Sequence, residues 1–271
     1  MNTKAEVRKF WDSSPCGTYL ITAPEGSREF YEQAEKLRYG GAYGYGFLLE
    51  DAEFGKHRGG KVLEIGCGIG TDLRQFAKNG AIVAGVDLTD KGIELAKRGF
   101  NVMGLDGNLL VADAEDLPFM NGTFDYVYSF GVLHHTPDTQ KAVDEVYRIL
   151  KDGGTFTIAL YHTASWEILR QVIRKLKHPS RWFWSWSRTL SYQTEYNKDP
   201  KGPPNPLTKT FTKAQAREMF HAFSDVTMHT RYGGWYLIIK GTKNPNPQNK
   251  KKGVVSLALD LMGQDLCGGD G

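Results

Sequence analysis

The sequence predicts an α/β protein: a doubly wound, mostly parallel sheet closed by a C-terminal antiparallel hairpin, with a helical cap at the N-terminus. Three observations point there. Short aliphatic and β-branched runs alternate with helix-length amphipathic segments between residues 61 and 161. Glycine-bearing turns punctuate them. A two-strand pattern around Gly233-Gly234 then follows a last helical stretch.

Residues 1–50 read as the cap or lid, with helices around Val7, Phe10 and Trp11 and around Phe30, Tyr31, Ala34 and Leu37. The main domain is expected over 51–243. Its strands are Lys61–Ile65, Ile82–Val86, Leu109–Ala112, Phe124–Ser129 and Thr155–Tyr161. Helices fill the gaps at Thr71–Lys78, Asp90–Lys97 (closed by Gly99) and Thr139–Leu150. A substrate-side insertion covers 164–210, opening with a helix at Trp166–Lys177 and including the aromatic run Trp182-Phe183-Trp184-Ser185-Trp186. A helix from Thr212 (its N-cap) to Phe223 precedes strands Val226–Tyr232 and Trp235–Lys240, which brings the sheet to seven strands. Residues 244–271 read as a polar linker and tail, with one apolar run at Val254–Met262.

Composition narrows the function. At 271 residues, 40% hydrophobic and 24% charged, the chain suits one α/β domain with a sizeable core. A net charge of +3 argues against nucleic acid as the main partner. No apolar stretch is long enough to span a membrane, and Met1–Phe10 carries Lys4, Glu6, Arg8 and Lys9 with no apolar h-region, so it does not read as a secretory signal. Three scattered cysteines form neither a disulfide framework nor a zinc site. A cytoplasmic monomer or homodimer without a metal is therefore expected.

Strand-then-helix alternation places ligands outside the carboxyl ends of the strands. The first such end is Glu64-Ile65-Gly66-Cys67-Gly68-Ile69-Gly70. Glycines there let a ligand approach the backbone. Dinucleotide enzymes use the same device, but with Gly-x-Gly-x-x-Gly spacing, whereas this loop reads Glu-x-Gly-x-Gly-x-Gly. Asp87 ends the second strand, placed to accept from both hydroxyls of a ribose. Asp113 ends the third, placed to accept from an exocyclic adenine amine, with Ala114 against the ring. Either aspartate alone is equally well a turn cap; the series points to a nucleoside site. Cys67 has two readings, a small residue in a tight turn or a redox-sensitive gate.

The ordered set resembles class I S-adenosylmethionine-dependent methyltransferases. Val62–Gly70 resembles their first motif, Gly85-Val86-Asp87 the second, and Asp113–Phe119 the third. Phe124–Val127 through Leu133-His134-His135 resembles the fourth, and Arg148–Gly154 the fifth. Among small-molecule branches the likeness is to the ubiquinone/menaquinone C-methyltransferases. The resemblance implies a Rossmann-like fold and S-adenosylmethionine as cofactor, with S-adenosylhomocysteine as product. It implies cofactor contacts at Glu64, Gly66, Cys67, Gly68 and Gly70, at Asp87 and Leu88, and at Asp113, Ala114 and Glu115. Asp72 either senses the methionine ammonium or serves the helix dipole. Amino-methylating base enzymes place an Asn/Asp-Pro-Pro-aromatic tetrapeptide where this chain has Ser129-Phe130-Gly131-Val132, which favours a small-molecule acceptor over nucleic acid.

Candidate catalytic groups are His135, His134 and Tyr161, on the ends of the fourth and fifth strands; a histidine there is a base at neutral pH. Trp11, Tyr19, Tyr31 and Tyr39 read as a lid over the cleft or as packing of the cap. Cys16 reads as a thiol ligand for a soft substrate, for which one cysteine is too few. The tryptophan-rich insertion has three readings: a wall for an apolar or aromatic acceptor, a membrane-surface contact, or a buried cluster. A lipid or nucleic-acid methyltransferase and a non-catalytic cofactor-binding regulator remain alternatives.

Overall fold

The computed structural model describes residues 3–13, 15–40, 45–177 and 205–245. At its centre is a seven-stranded sheet in the order β3-β2-β1-β4-β5-β7-β6. The strands are β1 (Lys61–Ile65), β2 (Ile82–Asp87), β3 (Asn108–Val111), β4 (Phe124–Phe130), β5 (Leu150–Tyr161), β6 (Phe223–Arg231) and β7 (Tyr236–Lys243). The first five are parallel, and β7 runs antiparallel to both β5 and β6. Chain order reverses between β1 and β4, which opens a crevice above their carboxyl ends.

Side-chain alternation along the central strand feeds two cores. Leu63 and Ile65 pack on one face with Val143 and Val146 of α6 (Thr139–Ile149) and with Ala216 of α8 (Lys213–Met219). Val62 and Val83 pack on the other with Leu73 and Phe76 of α4 (Thr71–Lys78) and Ile93, Ala96 and Phe100 of α5 (Asp90–Met103). Leu63 is fully buried, so Leu63→Ala is expected to cost about 2–5 kcal/mol.

Two helix ends differ from the sequence expectation. α5 does not stop at Gly99 but runs to Met103 and caps at Gly104, whose φ is 65°. Gly99 is there for close approach: a Cβ would lie 2.8 Å from the Tyr31 ring. Likewise α8 ends at Met219 rather than Phe223, because Phe220 and Phe223 turn into the core beside Phe156. Its start is as expected, a capping box between Thr212 and Gln215. β5 begins at Leu150, through a register shift between Phe124 and Tyr126.

The N-terminal segment packs over the cofactor half of the crevice. In α2 (Arg28–Tyr39), capped by Ser27, Phe30, Tyr31 and Ala34 bury against Ile69 and Leu95, and the short α3 (Leu48–Asp51) buries Leu48. By contrast, α1 (Thr3–Ser13) buries one residue, Val7. Polar ties hold it instead: Lys4 to Asp113 and Glu115, Arg8 to Asp90, and Asp12 accepting from the Lys91 N–H at 2.9 Å. No described helix is long and apolar enough to cross a membrane. The Trp182–Trp186 run and Val254–Met262 lie outside the described residues.

Candidate active site

The loop after β1 is pinned to the end of β2. The Gly66 and Cys67 N–H groups donate to the Val86 carbonyl at 2.7 and 3.0 Å, and Gly70 N–H to the Cys67 carbonyl at 2.7 Å. Gly66 takes φ 77° and Gly68 φ 51°. A Cβ on Gly66 would strike Val132 at 2.1 Å, whereas a Cβ on Gly68 would meet nothing within 4 Å. Gly66 is thus demanded by packing, and Gly68 leaves an open cradle.

One cleft runs above this loop, from Asp113 to Arg38 and Cys16. Of the sequence-predicted cofactor residues, Glu64, Gly66, Cys67, Gly68, Asp72, Asp87, Leu88, Asp113 and Ala114 line it. Gly70 and Glu115 do not. Gly70 faces Ala96 and Phe100 at the start of α4, and Glu115 accepts from the Asp138 N–H at 2.8 Å and from Lys4.

Each acid in the cleft has a distinct setting. Asp87 is fixed by the Gly68 N–H at 2.8 Å and by the Thr89 N–H and hydroxyl at 2.9 and 2.6 Å. Asp72 is 1% exposed and saturated by Arg38, by the Tyr39 hydroxyl at 2.5 Å and by the Tyr128 hydroxyl at 3.0 Å. Glu64 is different: it is buried, and its Oε2 has no hydrogen-bond partner. Burial, reinforced by the nearby Asp72 charge, pushes its carboxyl well above the usual carboxylate range. Burial and the Asp87 and Glu64 carboxylates similarly push the Cys67 thiol up, which keeps it protonated and unreactive.

The three candidate catalytic groups separate. His135 lines the cleft near Trp11, ring centroids 5.5 Å apart, and its Nδ1 lies 2.8 Å from the Leu207 carbonyl. The Asn205 amide nitrogen also lies 3.2 Å from Nδ1, but the carbonyl is closer and can only accept, so Nδ1 carries the proton and Nε2 is the basic nitrogen. Burial lowers this imidazole to about 4. His134 and Tyr161 lie behind the cleft wall. His134 is fully buried, with neither ring nitrogen bonded, and stacks on Tyr161 at 3.7 Å; Tyr161 in turn packs on Trp235 at 4.4 Å.

Of the aromatic lid candidates, Trp11 alone lines the cleft. Tyr31 is buried and donates to the Leu95 carbonyl at 2.7 Å, and Tyr39 is held by Asp72. Cys16 also lines it. Lys4 and Arg38 were not legible as site residues: each sits among the charged positions of an amphipathic helix, without a local signal. Among the described residues no group of three His, Cys, Asp or Glu is placed to hold a metal ion.

Residues 63–158 match a family model described as a methyltransferase domain. The sequence is 38% identical over 109 residues to cycloartenol-C-24-methyltransferase 1 of Oryza sativa subsp. japonica, covering 39% of this chain and 32% of that protein. It is 31% identical over 103 residues to 27-O-demethylrifamycin SV methyltransferase of Amycolatopsis mediterranei, covering 37% and 38%. The matches thus span about a third of the length of these relatives. A solved SAM-dependent methyltransferase from Methanosarcina mazei superimposes with a TM-score of 0.54 at 20% identity, over 72% of this chain and 97% of that one. The [4+2]-cyclase SpnF superimposes at 0.56 and 16% identity, over 89% and 96%. Likeness at such identities establishes the fold, and two different reactions share it.

Proposed function

Residues 63–158 matching a methyltransferase-domain model, we propose that the chain is a class I methyltransferase that moves the methyl group of S-adenosylmethionine to a small apolar acceptor. One observation carries this reading. A single glycine-lined cleft gathers an orphaned buried carboxyl at Glu64 with the carboxylates of Asp87 and Asp113, on three neighbouring strand ends. That acceptor set suits an amino acid joined to a nucleoside. Glu64 meets an ammonium, Asp87 the ribose hydroxyls, and Asp113 the adenine amine. The open cradle at Gly68 leaves room for backbone contact.

When bound, the cofactor supplies a sulfonium-activated methyl group, so the protein's task is chiefly orientation of an in-line displacement. Glu64 ionises against the ammonium, which satisfies its orphaned oxygen. Asp87, already fixed by three donors, contributes without reorganising. Trp11, Phe130 and Val132 line the acceptor side of the cleft and exclude water. His135 stays neutral there and adds no charge to repel the sulfonium. Lowered to about 4, it is a weaker base than an ordinary histidine by about 3 kcal/mol. It is therefore suited to accept a hydrogen bond from an acceptor hydroxyl or amine, and takes the proton as the methyl arrives.

The apolar acceptor wall is consistent with the sterol and rifamycin substrates named for relatives of the domain. Calorimetry with S-adenosylmethionine, S-adenosylhomocysteine and NADH tests the cofactor. Micromolar binding of the first two, lost in Asp87→Ala, is expected; NADH binding alone overturns the reading. Methyl-labelled cofactor with a panel of hydroxylated polycyclic acceptors then tests the chemistry.

A further inference from the structure

Helix α7 (Trp166–Lys177) is anchored at its start. Ser165 Oγ accepts from the Ile168 N–H at 3.2 Å, and Ile168, 8% exposed, packs with Tyr161, Trp235 and Tyr236. Outward, the same helix presents a row of apolar residues. Trp166 is 65% exposed, Leu169 45%, Ile173 41% and Leu176 66%. Steps of three, four and three confine these four to an arc of about 80° on a helix. Arg170 and Lys177, both exposed, flank that row on the side away from Ile168. One acid against four bases (Glu167 against Arg170, Arg174, Lys175 and Lys177) gives α7 a net charge of +3.

The row continues onto the β6–β7 turn. Tyr232, 49% exposed, is held at φ 54° ahead of Gly233 and Gly234, both also at positive φ. The Trp166 N–H donates to the Gly233 carbonyl at 3.4 Å, which sets Trp166 beside that turn. From Tyr232 an aromatic path leads inward: to Tyr45 at 5.9 Å between centroids, then to Phe130 at 5.5 Å, a wall of the cleft.

We propose that this face, α7 together with Tyr232, docks on an anionic lipid surface. An apolar stripe edged by lysine and arginine, with tryptophan and tyrosine at one end, is the arrangement that lies in a membrane interface. The basic edge selects anionic lipid. A second copy docking α7 against α7 would bring two +3 helices together, which opposes that occupant. Docking also sets Tyr232 against the lipid, one packed ring (Tyr45) away from Phe130 of the cleft wall. That this brings a lipid-dissolved acceptor near the cleft rests on the methyltransferase reading above; docking itself does not.

The test is co-sedimentation of the full chain with vesicles of phosphatidylcholine alone and of phosphatidylcholine with phosphatidylglycerol. The chain is expected to sediment with the anionic vesicles and to be released by salt. The double variant Leu169→Glu/Ile173→Glu should bind about tenfold less or weaker still. Tyr232→Asn, which tolerates positive φ, should bind several-fold less. S-adenosylhomocysteine affinity and the thermal midpoint should be unchanged in both. No sedimentation of the native chain overturns the proposal, as does undiminished binding by the double variant. A double variant that loses thermal stability or dissociates from dimer to monomer also overturns it, because protein then covers the face. Nucleoside affinity is read on the same samples, so a failure of lipid docking and a failure of the methyltransferase reading are separately visible.

Discussion

The Lys4 ammonium rests on the Asp113 carboxylate, so the first helix of the chain closes the end of the cleft where the acid proposed to bind adenine stands. Seven residues on, the same helix lays Trp11 beside His135 at the other end. Burial opposes the Lys4 charge, but the bonds to Asp113 and Glu115 outweigh it and hold the amine above its usual value.

Nucleoside binding at Asp113 must displace Lys4. Lys4→Met is therefore expected to tighten S-adenosylhomocysteine binding. The gain should be about 0.2–1 kcal/mol, a factor of roughly five at most, because the pair is half-exposed. Calorimetry at low and high salt checks this, since screening should shrink the difference. Weaker binding by the variant would instead make Lys4 part of the binding site.

Gly66 and Gly68 should separate folding from binding. Gly66→Ala sets a methyl group against Val132 at a positive φ and is expected to destabilise the protein by about 1–3 kcal/mol, read as a lower denaturation midpoint. Gly68→Ala meets nothing in the folded chain, so its stability loss should be near 1 kcal/mol. Its cofactor affinity should fall at least tenfold, because the new methyl group fills the cradle.

Glu64 should make stability depend on pH in the unusual direction for a carboxyl. Its folded form stays protonated above the range in which the unfolded chain ionises, so folding takes up a proton there. Stability is then full below the ordinary carboxylate range and falls as pH rises through it. Glu64→Gln should raise the melting temperature at about pH 8 and leave it unchanged at about pH 4. It should also weaken S-adenosylhomocysteine binding, because an amide cannot balance an ammonium.

His135 has the opposite sign. Burial lowers it to about 4, against the Leu207 carbonyl, so its contribution is fully present above the ordinary histidine range and is lost as pH falls toward 4. That loss amounts to about 3 kcal/mol. His134, lowered by burial and by His135, adds to the same limb. His135→Asn should flatten the loss of stability between about pH 7 and pH 5. It should also slow methyl transfer while sparing S-adenosylhomocysteine affinity; unchanged turnover would remove His135 from the reaction.

Much of the fold and half of the site could be read locally. Strand and helix periods need only neighbouring residues, and so do the turns at Gly66 and Gly68 and the carboxylates that end strands at Asp87 and Asp113. Gly99 shows where local reading stops. Nothing in Arg98-Gly99-Phe100 tells a helix cap from a gap left for Tyr31, which is far away in sequence. The histidine pair makes the same point at the site. His134 and His135 are adjacent in the chain, yet one is sealed behind the wall and the other faces the cleft, because both sit in the 3-10 turn Leu133–His135, where successive side chains point about 120° apart.

The sequence by itself determined the doubly wound sheet, the crevice at its strand ends and the carboxylates that line it, because backbone period and turn chemistry are short-range. Tertiary structure alone decided which charges face one another. Arg38 on Asp72, Lys4 on Asp113 and Leu207 behind His135 join elements 34, 109 and 72 residues apart. Burial then set the protonation of Glu64 and His135. Desolvation depends on everything packed around a group, and no stretch of neighbouring residues encodes it.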